Sequence, residues 1–227
     1  MKAVAIILAA GGARRMSHPK ANIEHEGGKS FLQSLASTFG KAGCTVLGVV
    51  GKDSELVREM HPRIHLVESE RWLEGGLLAS AQAGIQAALD DGADVVLLHP
   101  VDMPAVRVNT LKTMLKSMGE AENSLRPEFE GAAGWPVMLS RAAAERLLKA
   151  GGTALDPMIE ETRPRRMQVK DPGVVVNINT PEIYKTLFTT EPKPAPPPKR
   201  RTKEKSATNG SVSEATSPTS YAASPEE

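Results

Sequence analysis

"LAAGGARRMSHPK", residues 8–20, closes an apolar run from Ala3 to Ala9 and sets two glycines, two arginines and a lysine behind it. Two readings compete. The opening "MKAVAIILAAGGA" imitates a secretory signal, with Lys2, an apolar stretch and small residues in that order. The imitation fails on its flanks, because Lys2 is the only basic side chain before the run and Arg14 and Arg15 follow it at once. The run is also the length of one buried strand, and no apolar segment in the chain reaches the roughly eighteen residues that a membrane span needs. Residues 3–9 are therefore a strand and residues 10–20 a loop leaving it, in a protein expected in the cytoplasm without a membrane partner.

The glycines fit neither common nucleotide motif. A dinucleotide fingerprint begun at Gly11 needs glycine at positions 13 and 16, which are Ala13 and Met16. A Walker A loop ending at Gly28-Lys29-Ser30 needs glycine at position 23, which is Ile23. A loop remains in which backbone N–H groups can face an anion while Arg14, Arg15 and Lys20 offset its charge. Taken alone it is equally a tight strand-to-helix turn with solvated arginines.

Outward from the loop, buried-strand and helix patterns alternate. "SFLQSLASTFGKAG" carries Phe31, Leu32, Leu35 and Phe39 at helical spacing behind Ser30, a candidate N-cap. Then come "TVLGVVG" as a strand, "DSELVREM" as a short helix, "IHLVES" as a strand and "LLASAQAGIQAALDDG" as a helix with Leu77, Ala81, Ile85, Ala88 and Leu89 in one stripe. "DVVLLHPVD" reads as another buried strand and "VNTLKTMLKSMG" as the helix after it. Strands alternating with helices give βαβ units and right-handed crossovers. The expected architecture is an α/β three-layer, Rossmann-like sheet, mostly parallel, with helices on both faces. The second half is less regular: two short strands about a glycine turn in residues 125–139, helices at "SRAAAERLLKAG" and "DPMIEET", and a closing helix "TPEIYKTLF" capped by Thr180 with Pro181 in its first turn.

The body so defined is residues 1–189. Residues 190–227 are rich in Pro, Ser, Thr and Lys and are expected to be a disordered tail. Its "PKRRTKEK" run is read as a solvated arm, one that could dock a protein partner. The tail takes six basic and five acidic residues, so the body holds 22 of each, and that neutrality argues against nucleic acid as a partner. A single cysteine, Cys44, excludes an internal disulfide framework and is read as a packed residue.

One further feature bears on the loop. "VVLLHPVDMP" puts Asp102 just past a buried strand, and in an open parallel sheet the ligand crevice lies beyond the strands' carboxyl ends. Asp102 and the Gly11 loop then share one sheet edge, where a carboxylate beside phosphate-binding groups suits Mg²⁺, a hard ion that takes oxygen ligands and substrate phosphates. The competing role for Asp102 is to cap the helix that begins near Val106.

These residues resemble a known family. "LAAGGARRMSHPK" is similar to the signature of nucleotidyltransferases with the NTP-transferase fold, the nucleotide-diphospho-sugar transferase type. "WLEGGLLASAQAGIQAAL", "HPVDMP", "RPEFEGAAGWPVMLS" and "VNINTPEIY" occur in the order of its molybdenum cofactor branch. The resemblance spans residues 3–188. It implies transfer of a nucleotidyl group from an NTP to a small phosphorylated acceptor, with molybdopterin as the candidate, and loss of pyrophosphate. By the same resemblance Leu8, Ala9, Ala10, Gly11, Gly12, Arg15, Lys20 and Ser80 hold the nucleotide. Arg15, Lys20 and Asp102 carry the catalysis. Asp102 and Asn179, or in place of the latter Asn177, hold Mg²⁺.

The chain departs from the family pattern at three places. Ser17 stands where the signature has glycine, "AGWP" replaces Gly-His-Pro, and Asn177 and Asn179 replace a pair of aspartates. "LAAG" points to CTP as donor, whereas the asparagines resemble the guanylyltransferase branch. A nucleotide-binding protein without turnover is the alternative from another class. His61 and His65 are four apart, but Pro62 between them removes a shared helical face for metal. His99 is read as packed, and Trp72 and Trp135 are candidates to stack on a base or a pterin, simple packing being the equal alternative for Trp135.

Overall fold

The structure, a computed structural model, describes residues 1–11, 16–119 and 123–198. Eight strands form one sheet in the order β3-β2-β1-β4-β7-β5-β6, with β8 paired to β5 on its other edge. The strands are β1 Ala3–Leu8, β2 Thr45–Val50, β3 His65–Glu68, β4 Val95–Pro100, β5 Ser124–Phe129, β6 Ala132–Ala133, β7 Val137–Ser140 and β8 Arg165–Gln168. The half built from β1 to β4 is parallel, as the alternation of patterns requires. Beyond it, β7 runs antiparallel to β4 and to β5, and β6 antiparallel to β5, so the sheet is mixed.

Among the described residues seven α-helices cover both faces: α1 Phe31–Ala42, α2 Ser54–Met60, α3 Gly76–Asp90, α4 Val108–Ser117, α5 Arg141–Leu148, α6 Leu155–Glu161 and α7 Pro181–Phe188. Every residue of β1 is buried, and its side chains alternate between two cores. Ala3, Ala5 and Ile7 join Phe31, Leu35, Leu111 and Tyr184 on one face, while Val4, Ile6 and Leu8 join Leu78, Ile85, Ala144 and Ile159 on the other. A strand covered on both sides has no polar face, which is why it reads as a continuous apolar run.

Local signals set the helix ends. Ser30 caps α1 through a reciprocal box: its hydroxyl accepts from Gln33 N–H at 3.1 Å, and its own N–H donates to Gln33 Oε1 at 3.0 Å. Gly43, at φ +100°, ends the helix in the left-handed turn that glycine adopts most cheaply. Thr180 caps α7 with Pro181 in the first turn. Cys44 is buried as expected, and burial pushes its thiol up to about 11, leaving little thiolate.

The boundary expected at residue 189 falls differently. Thr189 turns the chain left-handed at φ +58°, and residues 193–195 then lie along residues 22–24. Ala195 is 2% exposed. Residues 199–227 lie outside the described residues.

Candidate active site

Strand order reverses between β1 and β4, because the chain winds from β1 through β2 to β3 and then crosses to β1's other side. Ligand crevices form at such switch points, and two adjoining cavities open there. The smaller, about 270 Å³, is lined by Leu8, Ala9 and Gly11 after β1, Lys20, Asp102 after β4, Asn177 and, on the far wall, Trp135 and Asp156. The larger, about 490 Å³, is lined by Gly11, Lys52, Trp72, Leu77 and Ser80. Gly11 and Leu77 border both.

Lys20 begins a short 3-10 turn, Lys20–Asn22, and its Nζ meets Asp102 Oδ2 at 2.6 Å. The carboxylate does not cap α4. Instead Asp171, 2% exposed, holds that helix's start, accepting from Arg107 N–H at 2.9 Å and from Thr110 Oγ1 at 2.7 Å. Asp102 is fixed by its backbone, whose carbonyl accepts from Ile178 N–H at 2.7 Å. That bond brings the 175–179 segment against the end of β4.

The same bond sets Asn177 and Asn179 on either side of the residue held against Asp102. Ile178 is buried between them, and it is Asn177 that lines the cavity with Asp102. Asn179, the preferred expectation, is half-buried and is not part of that lining. Ala10 is buried behind the loop, and Gly12 and Arg15 lie outside the described residues. Ser80 is buried at the start of α3, where its hydroxyl stands 3.4 Å from Ser69 Oγ and from Gly76 O. Ser17 has φ +58°, the left-handed conformation, at the position where the family signature has glycine.

Two features of the site are invisible in any motif. Gly51, at the end of β2, lets Trp72 and the Gly11 loop close together, since a Cβ there would meet Trp72 Cγ and Ala10 O, each at 2.7 Å. Behind Trp135 and Asp156, Arg126 is 6% exposed and paired at all three of its nitrogens. Its Nε donates to Gly134 O at 3.0 Å, Nη1 to Glu160 at 2.8 Å, Nη2 pairs with Asp156 at 3.0 Å, and the guanidinium lies 5.2 Å from the Trp135 ring centre. A buried cation thus presents one aromatic ring and one carboxylate to the cavity.

The histidines stand apart from this chemistry. His99 is fully buried, donating from Nε2 to Met103 O at 2.8 Å and packing on Phe39, and burial lowers it to about 4. His61 donates from Nε2 to Asn22 Oδ1 at 3.0 Å and is lowered by burial to about 4, while His65 is exposed on β3. Among the described residues no group of three or more His, Cys, Asp or Glu could hold a metal by itself, and no helix is long and apolar enough to cross a membrane.

Residues 5–168 match the MobA-like NTP transferase domain family. Probable molybdenum cofactor guanylyltransferases from Mycobacterium marinum and Opitutus terrae are each 26% identical, over 186 and 188 residues, covering 77% and 78% of this chain and 88% and 90% of theirs. A solved nucleotidyl transferase from a Methanothermobacter species superposes with a TM-score of 0.68 at 21% identity, across 82% of this chain and 95% of its own. The names of the curated relatives carry guanylyl, against the lean to CTP read from Leu8-Ala9-Ala10-Gly11.

Proposed function

Because the chain belongs to the family of MobA-like NTP transferase domains, we propose that it transfers a guanylyl group from GTP to the phosphate of molybdopterin. The observation that carries the reading is the convergence of Lys20 and Asp102 on one switch-point cavity. The choice of guanylyl rests on the relatives' names and on the two asparagines, and molybdopterin on the names and the motif order. An acceptor phosphate oxygen attacks the α-phosphorus in line, the bond from the α-phosphorus to the α–β bridging oxygen breaks, and its electron pair leaves with pyrophosphate. Such a reaction asks the protein for positioning and charge compensation rather than a nucleophile.

The chain's own residues divide that work. Backbone N–H groups of the Gly11 loop and the Lys20 ammonium take the triphosphate oxygens. Asp102 and Asn177 offer one carboxylate and one amide oxygen, a sparse oxygen set that suits Mg²⁺ completed by water and substrate phosphates. That ion, when bound, offsets the charge on the transferring phosphates. The Trp72 ring in the larger cavity suits the nucleotide base. On the far wall Trp135 offers a flat surface to a pterin ring, and Asp156, held by Arg126, accepts from the ring's N–H donors.

The test is pyrophosphate release by purified protein with Mg²⁺ and molybdopterin, each of the four NTPs being supplied in turn. GTP alone should support it. A requirement for CTP would restore the cytidylyl reading of residues 8–11. Tight nucleotide binding without release from any pair would make the chain a nucleotide-binding protein.

A further inference from the structure

The lysine that the proposed function sets on the triphosphate is held in place from an unexpected direction. Lys20 opens the 3-10 turn, and the two residues after that turn's end run directly beneath residues 193–195. Ala195 N–H donates to Asn22 O at 2.8 Å, Glu24 N–H donates to Lys193 O at 2.9 Å, and Ile23 and Pro194 form an antiparallel bridge between them. Lys193 Nζ adds an ion pair to Glu24 Oε2 at 3.2 Å. Two of these bonds are backbone to backbone, so the strap is read by shape and register, and its Pro- and Lys-rich composition does not prevent it.

Asn22 is the joint. Its carbonyl takes the strap, its Oδ1 accepts from His61 Nε2 at 3.0 Å, and its Nδ2 donates to Leu56 O at 3.2 Å. Tyr184 OH donates to Glu24 O at 2.9 Å from α7, the helix that delivers the strap. Ile23 is fully buried, so the segment cannot slide without breaking a core contact. The turn bearing Lys20 is thus clamped from α2 on one side and from α7 and the strap on the other. None of these partners touches the cavity.

We propose that residues 193–195 are a positioning strap, which fixes the 22–24 segment and through it the placement of the Lys20 ammonium against Asp102. The inference rests on the proposed function only for what Lys20 then does; the placement itself is a property of the chain. It makes the beginning of the Pro-rich tail part of the phosphate site's framework, outside the residues that match the family.

The test uses the full chain with Ala195→Glu, which puts a charge where the side chain is 2% exposed and so lifts the strap, and Ala195→Gly, which keeps the N–H. Ala195→Pro, which removes the N–H donated to Asn22 without adding a charge, serves if the glutamate variant does not fold. Acylation of Lys20 by an amine reagent, followed by mass spectrometry, should be at least about fivefold faster in Ala195→Glu and Ala195→Pro than in the parent or Ala195→Gly. Equal rates overturn the proposal.

GTP affinity with Mg²⁺, measured directly, supplies the second arm. It should fall about tenfold on lifting the strap in the parent and not fall further in a Lys20→Ala background, because the strap acts through Lys20. An equal fall in both backgrounds also overturns the proposal, since a strap serving stability alone would act without Lys20. A chain that binds no nucleotide refutes the proposed function, and the acylation rates still decide the strap.

Discussion

Lys20 Nζ and Asp102 Oδ2 are 2.6 Å apart, so the cation expected on the triphosphate and the anion expected on the metal hold each other. Both side chains are mostly shielded from water, at 24% and 14% exposure, and each keeps the other from facing that environment unpaired. Entry of a metal-bound triphosphate would exchange the single contact for two stronger ones, ammonium to phosphate and carboxylate to metal. The pair keeps the two groups within one another's reach beforehand, which limits the rearrangement needed on binding.

If that exchange occurs, Lys20→Ala and Asp102→Asn should each lower pyrophosphate release by roughly a hundredfold or more, the scale for losing a major electrostatic contact. The two variants should part company in metal binding. Lys20→Ala removes a competing cation from Asp102 and should raise the affinity of the nucleotide-free chain for Mn²⁺, whereas Asp102→Asn should abolish it. Paramagnetic titration distinguishes them, and an unchanged Mn²⁺ affinity in both variants would remove Asp102 from the metal site.

Ser17 gives a prediction of opposite sign. Its φ of +58° costs a non-glycine residue about 1–2 kcal/mol, and glycine returns part of that through the greater freedom of its unfolded chain. Ser17→Gly should therefore stabilise the protein by about 0.5–1 kcal/mol, read as a higher urea midpoint. A lower midpoint would mean that the serine side chain supplies a contact worth more than the strain.

Acid should weaken the fold before its carboxylates titrate. His61 and His99 are lowered by burial to about 4 from an ordinary 6.5, so the unfolded chain gains protons below pH 6.5 that the folded chain refuses. Their stabilising contribution is complete above that pH and declines as pH falls towards 4, by about 1.4 kcal/mol per unit for each histidine. Urea midpoints at pH 7, 6 and 5 should fall in that order, and His99→Gln should flatten the trend. A flat profile in the parent would show that neither ring is excluded from water.

Much of the site's framework was legible in order, because it depends on runs of buried apolar residues and on the loops that leave them. A strand with no polar face announces itself, and the residues after such strands, Gly11 and Asp102, share a sheet edge by topology alone. The features that escaped reading depend on three-dimensional reach. Arg126 is a charged residue in a short strand, and only the approach of α6 shows that its charge is spent on Asp156 and Glu160. Asn177 and Asn179 are the same residue type two positions apart, and only the folded chain shows that Asn177 lines the cavity with Asp102. The strap consists of backbone hydrogen bonds, and composition carries no information about those.

Gly51 tests whether the wall of the larger cavity matters to the nucleotide. It ends β2 in "TVLGVVG", where a final glycine passes for an ordinary strand terminus, yet a methyl group there would sit 2.7 Å from both Ala10 O and Trp72 Cγ. Neither neighbour is the free end of a flexible chain: one is backbone leading into the phosphate loop, and the other is the root of an indole lining the cavity. Gly51→Ala must displace both or be displaced itself. Overpacking of this kind costs about 1–3 kcal/mol of stability, and the same displacement should weaken GTP binding about tenfold while acceptor KM stays near its parent value, because Trp135 and Asp156 line the smaller cavity and Trp72 the larger. Trp72→Ala in the Gly51→Ala background should restore only part of the stability lost to the clash, because Ala10 O and the residue-72 Cβ stay within 3 Å of the new methyl, and it should not restore nucleotide affinity. Calorimetric titration with GTP and a thermal melt on the parent, Gly51→Ala, Trp72→Ala and the double variant separate the two effects, and a Gly51→Ala protein with parental GTP affinity would show that Trp72 does not contact the nucleotide.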